Sequence, residues 1–402
     1  MSTANLVAIG DIHLRPDGRN EQRLASWDRI IADACELPRL GAFLVTGDVF
    51  HAKSTIADRN AAAQRFQTMA RFAPVLVSQG NHDADGDLDI FERIEGAYPI
   101  RVFKYPTTHV FETPTHEQIV ASVIPYPHKG MLAAMGLSPD EVLTAADQAL
   151  LDICRGLAAE AAAEGLPAFV LGHANISGAI ASNGQPQVGR EISLTAEHLT
   201  VFGDVPKVFG HIHRPQDIHG ATYVGSVSRQ DFGELEAKRF CIVSLGPAPG
   251  QYAFHSRPLD VPAMFHVEGT LSREGFAHDL PAGTDIEGAE IRVRYRYPAS
   301  EQRFLDHASV RVPFAGAATL QVEPIAVPDR ALRAPAVAQA VTLADKLTAW
   351  AMATDTVTPA SVLEKLARLQ TQDEATLRAS VEAWLAQAEG IAAQEPGKAV
   401  AA

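Results

Sequence analysis

The chain has 402 residues, 47% apolar and 20% charged, with a net charge of −14. The length exceeds what one hydrophobic core organises, so two or three domains are expected, and the composition excludes a disordered polymer. The acidic balance excludes a globally basic nucleic-acid surface; any such affinity has to come from local basic patches, bound metal or a partner.

Cys35, Cys154 and Cys241 are few, odd in number and widely spaced. They read as free thiols in a reducing cytosol, not as a disulfide framework or a zinc site. No basic-then-apolar leader is visible, and no stretch approaches the ~20 apolar residues that span a bilayer. The expectation is a soluble cytoplasmic protein with no membrane contact.

In chain order, predicted strands are Asn5 to Ile9, Ala42 to Thr46, Pro74 to Ser78, Gln118 to Ile124, Pro167 to Leu171, Lys207 to Phe209, Thr222 to Val224 and Phe240 to Leu245. Helical patterns fall near 21–36, 55–72, 87–95 and 140–164. Strands alternating with helices predict an α/β layer fold. The later strands lack intervening helices, which predicts a mixed sheet doubled into a sandwich. From about 256 the character changes. Glu290 to Tyr297 alternates strictly and carries Arg292, Arg294 and Arg296 on one face, with shorter strands at Val267 to Thr270 and Thr319 to Val322. A Pro-rich linker surrounds Val327 to Pro335. Helical faces follow at Leu343, Leu347 and Trp350, at Val362, Leu363, Leu366 and Leu369 behind a Thr358 cap with Pro359, and at Leu377, Val381, Trp384 and Leu385 behind a capping box from Thr371 to Glu374.

Polar clusters punctuate the strand ends: Asp11-Ile12-His13, Gly47-Asp48-Val49-Phe50-His51, Gly80-Asn81-His82-Asp83, Gly172-His173 and Gly210-His211-Ile212-His213. Carboxylate and amide oxygens suit hard cations, and imidazole suits manganese, iron or zinc. Asp11 and His13 reach one ion only where the strand has already ended, because alternate residues of a strand point apart. Asp48 has two oxygens and can bridge two cations about 3.5–4 Å apart, or it can simply cap a turn. In Gly80-Asn81-His82-Asp83 the amide oxygen can serve as a metal ligand, His82 could donate to a phosphate oxygen, and Asp83 could fix the His82 tautomer; an Asx-turn is the competing use. His173 alone is weak, whereas the His211-x-His213 pair is a moderate metal signal.

Taken together, the clusters resemble the calcineurin-like metallophosphoesterase superfamily. The spellings GDVFH, GNHD and GHIH, with Asp231-Phe232-Gly233-Glu234 and Lys238 after Gly225-Ser226, resemble the SbcD family of nuclease subunits. The resemblance implies a mixed-sheet sandwich with a small α+β capping domain and a C-terminal helical segment. It divides the chain into a nuclease core (1–255), a DNA-facing capping domain (256–326), a linker (327–340), a helical partner-binding segment (341–390) and a disordered tail (391–402). It assigns one metal to Asp11, His13, Asp48 and His213, and a second to Asp48, Asn81, His173 and His211. His82 would act on the scissile phosphate, His51 would position it, and Asp83 would support His82. Two divalent ions, manganese in the first place, would serve duplex exonuclease and single-strand or hairpin endonuclease activity. The implied partners are DNA, an SbcC-type coiled-coil ATPase docked on the terminal helices, and a second copy of the chain.

Arg15, Arg19, Arg23, Lys53, Arg59, Arg292, Arg294 and Arg296 are the candidate local DNA contacts, with a solvated surface as the alternative reading. Competing functions are a phosphoesterase for cyclic nucleotides or other small phosphoesters, and an adaptor subunit with a vestigial metal site. The presence of every expected ligand weighs against the last.

Overall fold

The computed structural model describes residues 4–127, 139–181, 191–328, 335–354 and 360–394. In chain order the strands of the first half are β1 (Ala4–Ile9), β2 (Leu40–Val45), β3 (Val75–Ser78), β4 (Ile100–Phe103), β5 (Thr107–Glu112), β6 (Gln118–Ile124), β7 (Ala168–His173), β8 (Asn175–Ile176), β9 (Ser193–Leu194), β10 (Lys207–Gly210), β11 (Gln216–Ile218), β12 (Ala221–Tyr223), β13 (Arg239–Leu245) and β14 (Tyr252–Pro258). Between them lie α1 (Asn20–Cys35), α2 (Ile56–Met69) and the long helix Pro139–Glu164. Twelve of these strands build two six-stranded sheets, in the orders β14-β13-β1-β2-β3-β4 and β11-β12-β10-β7-β6-β5, and β8 and β9 pair with each other.

The mixed α/β sandwich follows from strands buried on both faces. All of β1 is buried. Its Leu6 and Ala8 meet Val123, Leu171 and Val208 of the second sheet, while Val7 and Ile9 join Trp27, Ile30 and Phe66 of α1 and α2. On the outer face of the second sheet, Leu150, Cys154 and Leu157 of the long helix pack on Val170 and Phe209. The layers are therefore helix, sheet, sheet, helix. Parallel pairing of β1, β2, β3 and β4 sends their C-terminal ends to one edge, and β6, β7 and β10 are likewise parallel. Loops at such an edge are where an α/β fold places its chemistry.

A third sheet follows: β15 (Met264–Ser272), β16 (Gly275–His278), β17 (Glu290–Pro298) and β18 (Thr319–Val327), in the order β16-β15-β17-β18. It encloses its own core of Val267, Leu271, Ile291, Val293, Tyr295, Val310 and Phe314. One compact unit comprises Met1–Tyr297 and Leu305–Ile325, so this sheet belongs with the two larger ones. The other unit, Pro298–Phe304 with Ala326–Ala402, contains the helices Pro335–Gln339, Leu343–Ala353, Ala360–Thr371 and Glu374–Gln394.

Several local expectations need correction. The pattern at 87–95 forms a short 3₁₀ turn, Asp89–Arg93. Strands β4, β5, β11, β14 and β16 escaped the sequence reading, and every one is an edge strand. An edge strand pairs on one side and needs less apolar surface, so it lacks the run that marks a central strand. Thr371 does not cap the last helix: its hydroxyl donates to the Ala367 carbonyl, and Asp373 accepts from the Thr376 N–H instead. Part of the expected linker is helical at Pro335–Gln339, and helix continues to Gln394 into the expected tail. The Thr358–Pro359 cap and residues 395–402 lie outside the described residues. No helix among the described residues is long and apolar enough to cross a membrane. The cysteines are free thiols, with Cys154 and Cys241 buried and Cys35 half-buried.

Candidate metal centre

The strand-end clusters converge. β1 stops at Ile9, so Asp11 and His13 sit in a loop, where His13 takes the left-handed backbone (φ 55°) that abolishes strand alternation. Asp48 and His211 share that unfavourable region, at φ 51° and 96°. Such strain persists only where surrounding structure enforces it, and it concentrates at functional sites. Two glycines permit the approach. A Cβ at Gly47, itself at φ 109°, would strike the His173 ring, and one at Gly80 would strike the Asp48 carboxylate.

Asp48 lies between two groups of donors. Its Oδ2 is 3.4 Å from Nε2 of His13 and 3.4 Å from Nε2 of His173. On one side, His13 Nε2 and His213 Nε2 stand 2.9 Å apart, with Asp11 close by. On the other, Asn81 Oδ1 is 3.0 Å from His173 Nε2 and 2.9 Å from His211 Nδ1. Asp11 Oδ1 accepts the backbone N–H of His211 at 2.8 Å, while its Oδ2 is buried with no hydrogen-bond partner. A fully buried carboxylate oxygen with no hydrogen-bond donor, clustered with imidazole nitrogens, has the chemistry of a cation's ligand set. The mixture of carboxylate, amide and imidazole fits a borderline divalent metal.

Outer partners orient the rings. His173 Nδ1 donates to the Thr46 carbonyl at 2.7 Å, which turns Nε2 toward Asp48 and Asn81. His211 Nε2 is 3.4 Å from Glu191 Oε2, and Tyr126 donates to the other Glu191 oxygen at 2.7 Å. His213 Nδ1 contacts Glu234 Oε1 at 2.5 Å. Glu191 and Tyr126 carry no local sequence signal; Glu234 lies in the run that follows the last metal motif.

His51 and His82 stack, with ring centroids 4.8 Å apart, beside His13. His82 Nδ1 donates to the His51 carbonyl at 2.7 Å, and the His82 backbone N–H donates to Asp48 Oδ1 at 2.9 Å. The expected pairing of Asp83 with the His82 ring does not occur. Asp83 is buried and accepts the N–H groups of Phe50 and Gly80, both at 3.0 Å, so it braces the loops that carry Asp48 and Asn81.

The electrostatics are those of a crowded buried site. Burial alone would raise the Asp48 carboxyl, but the His173 and His13 rings overcome it and hold it well below the usual range. Burial likewise opposes charge on His173, yet Asp48 and Asp11 pull it up to about 9. For His13, burial dominates over Asp48 and drives it well below the ordinary histidine value. His51 falls to about 4 through burial and the nearby Arg15 guanidinium, whose Nη1 is 3.0 Å from His51 Nδ1. Burial raises the Asp83 carboxyl, and Asp48 adds to it.

The candidate DNA-contacting arginines are largely engaged within the protein. Arg23 is fully buried on Asp17, Arg19 pairs with Glu290, and Arg59 bonds Ser54. Arg292 and Arg294 pair with Glu323, and Arg296 with Glu268.

The sequence profile of the calcineurin-like phosphoesterase family matches residues 4–215, which takes in the motifs from Asp11 to His213 and more than half of the chain. With carboxylate, amide and imidazole donors converging around Asp48 at one edge of a two-sheet sandwich, the chain belongs to the calcineurin-like phosphoesterases and is a metal-dependent phosphoester hydrolase.

Proposed function

We propose that this hydrolase is a DNA nuclease of the SbcD kind, cutting duplex ends and single-stranded or hairpin DNA. The observation that carries the reading is the placement of Asp48 Oδ2 at 3.4 Å from both His13 and His173, with His82 and His51 left over beside the donor set. Asp11, His13, Asp48 and His213 would hold one divalent ion, and Asp48, Asn81, His173 and His211 a second, with manganese the first choice. When bound, divalent cations offset the negative charge that repels a nucleophile from a phosphodiester. The choice of DNA is supported by the spellings of the motifs, the third sheet beyond the core and the helical C-terminal segment. An SbcC-type ATPase docked on that segment, and a homodimer, belong to the same proposal.

The chain's own residues supply the proton chemistry. A carbonyl only accepts, so the contact with His51 commits the His82 proton to Nδ1. Nε2 is then the working atom: protonated, it donates to an oxygen of the scissile phosphate or its leaving group; neutral, it accepts. The stacked His51 ring, held through Arg15, keeps the His82 face fixed.

A second reading, hydrolysis of cyclic nucleotides or other small phosphoesters, gains support from the net charge of −14 and the internally paired arginines. Purified protein with Mn²⁺ is to be assayed on a labelled hairpin, a blunt duplex and bis(p-nitrophenyl) phosphate. DNA cleavage is expected, falling by more than about 100-fold in Asp48→Ala, since outer partners alone cost 10–100-fold. His82→Ala is expected to cost about 10²–10⁴-fold. Equal DNA cleavage by wild type and both variants would overturn the site assignment. Hydrolysis of the small diester with DNA untouched would favour the second reading.

A further inference from the structure

The run Asp231-Phe232-Gly233-Glu234, with Lys238 after it, supplies no metal ligand and touches no phosphate-handling histidine ring. We propose that Glu234, clamped by Lys238, is a positioning residue for His213: it fixes which imidazole nitrogen faces the metal and ties that ring to the third sheet. The proposal rests on His213 serving as a metal ligand.

Glu234 and Lys238 are both buried, with 2% and 0% of their side chains exposed. Glu234 Oε1 is 2.5 Å from His213 Nδ1. An ionised carboxylate only accepts, so the ring proton stays on Nδ1 and the lone pair on Nε2, the atom 2.9 Å from His13 Nε2. Oε2 accepts from Lys238 Nζ at 2.5 Å, Ser226 Oγ at 3.2 Å and the Gln230 N–H at 3.1 Å. Rotating Glu234 away would break these three bonds and leave Glu236 Oε1, 2.8 Å from Lys238 Nζ, as the remaining carboxylate partner of the buried ammonium, so the observed orientation is the one that pairs both groups. Lys238 Nζ also donates to the His213 carbonyl at 3.3 Å, which holds the same residue by its backbone.

The same segment is laced to the stretch Leu259 to Pro262 that leads into the third sheet, and to β15 itself. The Leu259 N–H donates to the Lys238 carbonyl at 2.9 Å. Arg229 Nε donates to the Glu234 carbonyl at 2.8 Å, and its Nη1 reaches the Pro262 carbonyl. His266 of β15 meets the Phe232 carbonyl. A salt bridge serving stability alone has no need to aim its remaining oxygen at a ligand histidine. Carboxylate partners of ligating imidazoles set their tautomer and raise their basicity.

The test uses the full chain and Mn²⁺ as the probe, with binding followed by calorimetry and by the electron paramagnetic resonance of free Mn²⁺. Wild type is expected to bind two ions and His213→Ala to lose one of them. Glu234→Ala is expected to weaken one ion by about 10–100-fold and leave the other unchanged. Introduced into His213→Ala, the same substitution is expected to cost nothing further. Because Glu234→Ala removes one of the two carboxylate partners of Lys238, the double variant Glu234→Ala/Lys238→Met removes both members of the buried pair and should show the same weakening with a native circular dichroism spectrum. In the metal-free protein, ¹⁵N imidazole resonances should report an Nδ1–H tautomer for His213 that becomes mixed in the double variant. Wild-type affinity for both ions in the double variant would overturn the proposal, as would an equal loss in the presence and absence of His213. If His213→Ala binds both ions as wild type does, the ligand assignment itself falls and takes this proposal with it.

Discussion

At Asp48 the backbone and the chemistry meet. The residue sits at φ 51°, in a conformation that costs a non-glycine residue on the order of 1–3 kcal/mol, yet it is locked there by His82, His13 and His173. Asp17 shows the opposite logic, with a carboxylate that serves structure. It accepts from Arg23 Nη1 and Nη2 at 2.6 and 2.7 Å and from Arg15 Nε at 2.5 Å. Partial burial would raise its pKa, but these guanidinium bonds pull it well below the usual carboxylate range. A depressed folded pKa gives stability that is fully present above the ordinary value near 4 and is lost as pH falls toward the folded value. Thermal melts between pH 6 and pH 3 should therefore show wild type losing stability below about pH 4, and Asp17→Asn losing less. Identical pH profiles would contradict the assignment. Arg23→Met should destabilise by about 2–3 kcal/mol at pH 7, somewhat below the 3–5 kcal/mol of a fully buried broken pair, because Asp17 keeps access to water.

Among the elements, α1 and α2 matter because they cover the outer face of the first sheet, whose loops present Asp11, Asp48 and Asn81. Trp27 of α1 meets Phe66 of α2 edge-on at 5.3 Å, and both are fully buried. Phe66→Ala is expected to cost about 3–5 kcal/mol, read as a shift in denaturant midpoint. A change under 1 kcal/mol would mean that the helix repacks. The central strands were legible as apolar runs because burial on both faces writes itself into composition. The edge strands were not: β5 is mostly half-buried and β14 mostly exposed, and only their neighbours make them strands. Strand β17 was legible as an alternation, Ile291, Val293, Tyr295 and Tyr297 facing the core. That its arginines meet Glu268 and Glu323 depended on the register of β15 and β18.

For the whole molecule, metal binding and folding are linked. Mn²⁺ at 100 times its dissociation constant is expected to add about 2.7 kcal/mol per independent site, seen as a rise in melting temperature that EDTA reverses. Asp48→Asn should abolish most of that rise; an undiminished rise would show that the metal binds elsewhere. The helices from Leu343 to Gln394 form a separate unit with Leu343, Trp350, Leu369 and Val381 exposed. Ending the chain at Val327 should leave hydrolysis of a small diester within about twofold, because the candidate ligands from Asp11 to His213 all precede it. The same truncation should abolish capture of an SbcC-type ATPase; undiminished capture would reject the docking role.

By itself, the sequence determined the candidate ligand types, their order and their places after apolar strands, because buried strands and glycine-led turns impose local patterns that survive without tertiary context. It also marked the segment from Asp231 to Lys238 without showing its use. Only the tertiary structure decided that Asp48 stands between two donor groups, that Asp83 braces backbone, that Glu191 and Glu234 meet the His211 and His213 rings, and that the arginines are mostly spent on internal carboxylates. Each of these is a contact between residues remote in the chain, and hydrogen bonding and charge pairing act over a few ångströms in space, a distance that no spacing along the sequence records.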